Sequence, residues 1–169
     1  MEKITIVING VGGAGKDTLI SLLEGKFKIK NVSSITPIKE LAKQMGWQGE
    51  KTDKARKFLS DLKAIATEYN DYPTRYLLEK QQDFILSNDQ IMFVHIREPK
   101  EIEKFVKSSK TITKTLLIRP RQELTQKQYG NASDDEVENY SYDYIFNNDK
   151  SLEEIKPIWI KFISKILEK

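Results

Sequence analysis

The stretch ITIVINGVGGAGK, residues 4–16, restricts the fold of this chain more than any other. Its first half is a continuous, mostly β-branched run without polar alternation. A strand half exposed to water alternates; a strand covered on both faces does not, so residues 3–9 predict an interior strand of a parallel sheet. The second half, Gly10 to Lys16, fits the pattern G-x-x-x-x-G-K, in which main-chain amides and a lysine surround phosphate oxygens. Four of the chain's eight glycines, Gly10, Gly12, Gly13 and Gly15, lie here. Backbone permissiveness is thus concentrated at one turn. Exposed amides followed by a helix N-terminus form an anion cradle.

Gly10, Gly12 and Gly15 also satisfy G-x-G-x-x-G, the dinucleotide fingerprint. A dinucleotide site needs an acidic residue ~20 positions further on for the ribose hydroxyls. The segment there, KIKNVSSIT, has none. A plain strand-to-helix turn explains neither Lys16 nor the buried strand before it. Lys16 directly after Gly15 is what a phosphate loop requires, a point charge for the β- and γ-phosphates.

Further along, the pattern alternates between strand and helix. A helix carrying Leu19, Ile20, Leu22 and Leu23 is expected to end near Gly25, and a short strand to follow at 29–33. Thr36 is the expected N-cap of the next helix, with Pro37 at its first position and Gly46 as its stop. The spacing of Phe58, Leu59, Leu62, Ile65, Ala66 and Tyr69 predicts one apolar helix face. Pro73 opens another helix, IMFVHI at 91–96 is a second buried strand, and Pro99 starts the helix after it. TLLI at 115–118 and YDYIF at 142–146 complete the strands, and Ser151-x-x-Glu154 is a capping box for the last helix. The expected fold is α/β: three layers, about five parallel strands flanked by helices, in one domain spanning 1–169. Residues 35–88 form a helical segment. The polar stretch 119–135 has no period and is long for a connection, so it is expected to be a short lid loop.

Charged residues make up 31% of the chain and hydrophobic ones 38%, which suits a globular protein. The net charge of +3 is spread among interleaved Lys and Glu on helix faces rather than gathered in a stripe. This excludes a strong nucleic-acid partner and suits a polyanionic small molecule. Without cysteine there is no disulfide frame and no thiolate metal site. No apolar run approaches ~18–20 residues, and the run at 4–8 is too short for a signal peptide, so no membrane partner and a cytoplasmic location are expected. The oligomeric state is not legible.

No Asp has Gly three places later, so a GTPase switch is missing. The strand at 91–96 is followed by Arg97 and Glu98 rather than ending in paired acids as in motor-type ATPases. Small-molecule kinases remain, in which catalysis is positioning and charge neutralisation. GVGGAGKDTLI, TPIKELA, TLLIRPR and FNNDKSLEEI, in that order, resemble the phosphate-loop (P-loop) nucleoside and deoxynucleoside monophosphate kinase family, in the form found in T-even bacteriophages. More loosely, the Gly-Lys-Asp loop is similar to that of animal phosphomevalonate kinases. Residues 47–90, where such kinases select their acceptor, do not match.

The resemblance implies ATP and Mg²⁺, with transfer of the γ-phosphoryl to an acceptor phosphate. Carried over by position, Gly10, Gly12, Gly13, Ala14, Gly15, Lys16, Asp17 and Thr18 hold ATP, and Lys39 faces the acceptor. Arg97 corresponds to the arginine of an Asp-x-Arg, and Arg119 and Arg121 open the lid. His95 stands where the family has that Asp. Asp17 occupies the place of the usual Ser or Thr. It is either a helix N-terminal acid, favoured by the dipole by ~0.3–1 kcal/mol, or, with Thr18, an oxygen ligand that recruits Mg²⁺.

The expected catalytic set is Lys16, Asp17, Arg119 and Arg121; the acceptor set is Lys39, Arg56 and Arg97; the metal set is Asp17 and Thr18. Arg56 and Arg75 are bidentate phosphate clamps or surface ion pairs. Arg119 and Arg121 close over phosphates or belong to a solvated loop. His95 is a packed strand residue or a base. Asp134, Asp135 and Glu136 are first-turn acids after a Ser133-x-x-Glu136 capping box rather than a metal cluster. Trp47, Tyr69 and Tyr72 pack in the core or stack on a base. The expected function is an ATP-dependent kinase of a nucleoside or deoxynucleoside monophosphate. The alternatives are a kinase of a non-nucleotide phosphate or alcohol, or a nucleotide-binding regulator with little turnover.

Overall fold

The structure, a computed structural model, describes residues 2–120 and 136–168. The chain runs β1 (Ile4–Asn9), α1 (Lys16–Ser21), β2 (Ile29–Ser33), α2 (Thr36–Gln44), α3 (Asp53–Asn70), α4 (Tyr72–Leu86), β3 (Ile91–His95), α5 (Pro99–Ser108), β4 (Ile112–Arg119), β5 (Tyr144–Asn147) and α6 (Leu152–Leu167). The five strands form one sheet in the order β2-β3-β1-β4-β5, and every pairing is parallel. β1 lies at the centre and all six of its residues are buried. That is the physical basis of its unbroken apolar run: both faces are covered.

The two faces have separate cores. Ile4, Ile6 and Ile8 of β1 join Phe93, Leu116 and Ile118 against Leu19 of α1 and Trp159 and Ile163 of α6. Val7 joins Met92 and Val94 against Leu77 and Phe84 of α4 and Ile102 and Phe105 of α5. Successive β1 residues therefore feed opposite layers, as the two-residue period of a strand requires. This is a P-loop kinase-like α/β fold with helices on both sides of a parallel sheet.

Three local expectations differ from what is found. Thr36 is the first residue of α2 rather than its cap; the N-cap is Ile35, and no side chain caps the helix. α1 ends at Ser21, short of Gly25. On α3, Ile65 and Tyr69 are 65% and 85% exposed, because the helix packs on α2 and α4 but not beneath a further layer. Ser151 does cap α6, its hydroxyl accepting from the Glu154 amide at 3.3 Å. No helix among the described residues is long and apolar enough to cross a membrane.

Trp159 ties the carboxyl-terminal helix to the first one. It is fully buried and its Nε1 donates to Leu19 O at 2.7 Å, while its ring packs on Phe146 with centroids 4.8 Å apart. Trp159→Ala removes a large buried ring and leaves that carbonyl without its donor. It should lower unfolding free energy by about 3–5 kcal/mol, measured by urea denaturation followed by circular dichroism. A loss below about 1 kcal/mol would contradict this placement.

Candidate functional site

The glycine loop begins where β1 ends. Asn9, fully buried, shapes the exit: its Oδ1 accepts from the Gly10 amide at 2.9 Å, and its Nδ2 donates to Arg97 O at 3.0 Å and to Tyr142 Oη at 2.8 Å. Gly10 is compelled by space, since a Cβ there would lie 2.7 Å from Ile118 O. Gly15 is compelled twice, by φ +89° and by Asn148, whose Nδ2 would be 2.5 Å from a Cβ. That same Nδ2 donates to Ala14 O at 2.9 Å. Positive-φ glycines among L-residues give the backbone pattern in which main-chain N–H groups form an anion nest. Lys16 leads α1, and its Nζ donates to Gly10 O at 2.7 Å, so the ammonium arches over the loop.

Asp17 is the first-turn acid of α1, with its side chain 90% exposed. Its Oδ1 is 3.8 Å from Nε2 of His95, the last residue of β3. The imidazole is only 15% exposed, and Nε2 is 2.7 Å from Asn31 Oδ1. That oxygen only accepts, so Nε2 carries the proton of a neutral ring. Burial pushes the His95 pKa down to about 4; Asp17 opposes this, and Lys16 and Arg97 add to it. His95 is therefore a packed strand-end residue, neutral near pH 7.

A wide cleft extends from the loop to α2 and α3. Its lining includes Gly12, Gly13, Ala14, Gly15, Lys16, Asp17 and Thr18, together with Lys39 of α2, Arg56 of α3 and Arg97 after β3. The structure thus brings together the predicted nucleotide-side and acceptor-side residues at the carboxyl ends of the strands, where parallel sheets bind ligands. Gly10 lies behind them as the floor of the loop.

Other predicted residues lie elsewhere. Arg119 ends β4 outside the cleft lining, and Glu138 grips it, Nη2 donating to Oε1 at 2.6 Å and Nε to Oε2 at 3.3 Å. Arg121, most of the 119–135 lid loop, and Ser133, Asp134 and Asp135 of the capping box lie outside the described residues. Arg75 is exposed on α4, away from the cleft. Neither Trp47, Tyr69 nor Tyr72 lines the cleft; the indole of Trp47 donates to Glu50 O at 3.0 Å instead.

Sequence reasoning missed Lys63, Glu98 and Ser34. Lys63 Nζ lies 2.8 and 2.9 Å from the two carboxylate oxygens of Glu98 and 3.2 Å from Ser34 Oγ, and all three residues line the cleft. A signal was present. Arg56, Ser60, Lys63 and Thr67 recur at helical spacing beside the apolar positions of α3, marking a polar stripe. Among the described residues, no three His, Cys, Asp or Glu side chains converge as a metal cage.

No family model and no curated protein matches the chain. Solved structures do. Dephospho-CoA kinase from Campylobacter jejuni aligns over 99% of this chain and 98% of its own, with a TM-score of 0.59 and 14% identity. Thymidylate kinase from Candida albicans covers 99% and 94%, with a TM-score of 0.54 and 16% identity. A sugar kinase from Janibacter sp. covers 97% and 95%, with a TM-score of 0.54 and 12% identity. These likenesses concern the fold.

His95 gives a pH prediction for stability. The unfolded ring titrates near 6.5 and the folded ring at about 4. Below pH 6.5 the unfolded chain binds a proton that the folded chain refuses, so stability falls as pH drops through this window, by up to about 1.4 kcal/mol per pH unit. Replacing His95 by Asn should flatten the profile between pH 6.5 and 4, measured by urea denaturation without nucleotide. Parallel profiles for the two proteins would refute it.

Proposed function

We propose that this chain is an ATP-dependent kinase that transfers the γ-phosphoryl of ATP to a phosphorylated small molecule, in the first instance a nucleoside or deoxynucleoside monophosphate. The observation that carries it is the gathering of cations from separate elements in one cleft beside the glycine loop. Lys16 sits over that loop, and Lys39, Arg56 and Arg97 line the same cleft. Holding two mutually repelling anions together needs cationic groups of this kind around both. The kinases of similar fold, one of them a thymidylate kinase, support the same class.

In this scheme the loop amides and Lys16 hold the β- and γ-phosphates, the ammonium leaving Gly10 O for phosphate oxygen. Arg97 and Lys39 bind the acceptor phosphate, with Arg56 at the cleft mouth. Arg119 exchanges Glu138 for the transferring group, together with Arg121. The donor set suits Mg²⁺, a hard ion that keeps its waters and takes one or two carboxylates beside substrate phosphates. Asp17 would hold it, directly or through water, with the Thr18 hydroxyl beside it, and the ion would neutralise charge building on the phosphoryl oxygens.

His95 does not supply the base that an alcohol acceptor would call for. A buried imidazole with a pKa of about 4 is a poor base near pH 7, whereas a phosphate acceptor is already ionised.

ADP release with ATP, Mg²⁺ and a panel of nucleoside monophosphates tests this directly. At least one acceptor should raise ADP release well above the ATP-only rate, and Lys16→Ala should abolish it. No stimulation by any phosphorylated acceptor would refute the proposal. Asp17→Ser should leave ATP affinity within about threefold while moving the Mg²⁺ concentration for half-maximal turnover upward by about tenfold, the equivalent of ~1.4 kcal/mol. An unchanged magnesium titration removes Asp17 from the metal site.

A further inference from the structure

α3 is held unusually for a helix of eighteen residues. Only Ala55 is buried along its length, and Ile65 and Tyr69 project into water. Its packing is against α2 and α4. So little apolar surface is removed from water that polar bonds matter more to its placement than they do for α6, which buries Ile155, Trp159, Ile163 and Ile166.

One such bond crosses the cleft. The Lys63 side chain is 12% exposed and that of Glu98 is 23% exposed, and the ammonium also reaches Ser34 Oγ. Both anchors belong to the rigid end of the sheet. Ser34 is 4% exposed, directly follows β2, and its amide donates to His95 O at 3.1 Å. Glu98 is the N-cap residue of α5 and directly follows Arg97. At the same point Thr67 donates its hydroxyl back to Lys63 O at 2.8 Å, a bond that competes with the helix's own ladder and adds nothing to its hold. A pair withdrawn this far from solvent is screened less than a surface pair such as Lys57–Asp61 on the same helix, whose side chains are 77% and 57% exposed.

We infer that Lys63 is a positioning residue: clamped by Glu98 and Ser34, it holds α3 against the strand ends and sets the width of the acceptor side of the cleft. Arg56 lies on α3 two turns before Lys63, and Arg97 lies beside Glu98. The ion pair therefore fixes the separation of two cations that line the cleft from different elements. Losing it lets α3 swing outward and leaves the glycine loop untouched. The kinetic consequence rests on the proposed acceptor role of this cleft; the structural consequence does not.

Hydrogen exchange on the nucleotide-free protein reads the structural part. Lys63→Met keeps the aliphatic stem and should speed exchange of α3 amides by about tenfold, the equilibrium change that follows from losing a charge-assisted bond. Lys57→Met should leave them unchanged. Glu98→Gln, which keeps shape, is the second variant should Lys63→Met not fold. The double reversal Lys63→Glu with Glu98→Lys should return exchange toward the parent rate. Kinetics read the rest: in Lys63→Met the acceptor KM should rise about tenfold while the ATP KM stays within about twofold. Unchanged α3 exchange in Lys63→Met and Glu98→Gln overturns the inference. So does a double reversal that leaves α3 as loose as in the single variants, because the Lys63–Glu98 pair would then not be what holds the helix. If exchange responds as expected and no acceptor is phosphorylated, the tether stands and the kinase proposal fails.

Discussion

The burial of β1 on both faces is the constraint from which the rest of the structure follows. A strand without an exposed side must lie at the centre of its sheet, and its exit must leave among neighbouring strand ends rather than at an edge. Asn9 stands at that exit with its side chain bonded to Gly10, Arg97 and Tyr142. The turn that follows passes so close to Ile118 O that Gly10 has no room for a side chain. The glycine loop is thus positioned by the core: its first residue is fixed by β1, its last is locked by Asn148, and Lys16 arches back to close it.

Electrostatics at the strand ends shows a related economy. The sheet ends in a neutral histidine at β3, and the nearest carboxylate stands 3.8 Å away on the first turn of α1. A charge placed on a solvent-exposed helix start escapes the desolvation that holds His95 neutral. The negative group is on the mobile-solvent side, where a hydrated cation can approach without losing its water shell.

Legibility from the sequence followed the physics of burial. β1, β3 and the loop between β1 and α1 were readable because a two-sided core leaves a continuous apolar run and because only glycine fits a left-handed or crowded backbone. β4 is longer than TLLI suggests, since its first residues, starting at the exposed Ile112, pair with β1 despite their polar character. The cleft lining beyond the loop was readable only in part. Lys39, Arg56 and Arg97 do line the cleft, whereas the polar stripe of α3 marks Lys63 without announcing that it meets Glu98, 35 positions away. Arg119, expected to open the lid loop, is the last residue of β4, and its grip by Glu138 depends on where the chain returns after residue 135.

The parallel topology has a consequence for how the polypeptide comes into being. Ile4 has no partner until Ile91 and Ile112 exist, and a ribosome adding about 5–20 residues per second needs on the order of 5–20 s to supply both. Throughout that interval the continuous apolar run at 4–8 waits without its sheet neighbours. Such non-local closure is slow even after release.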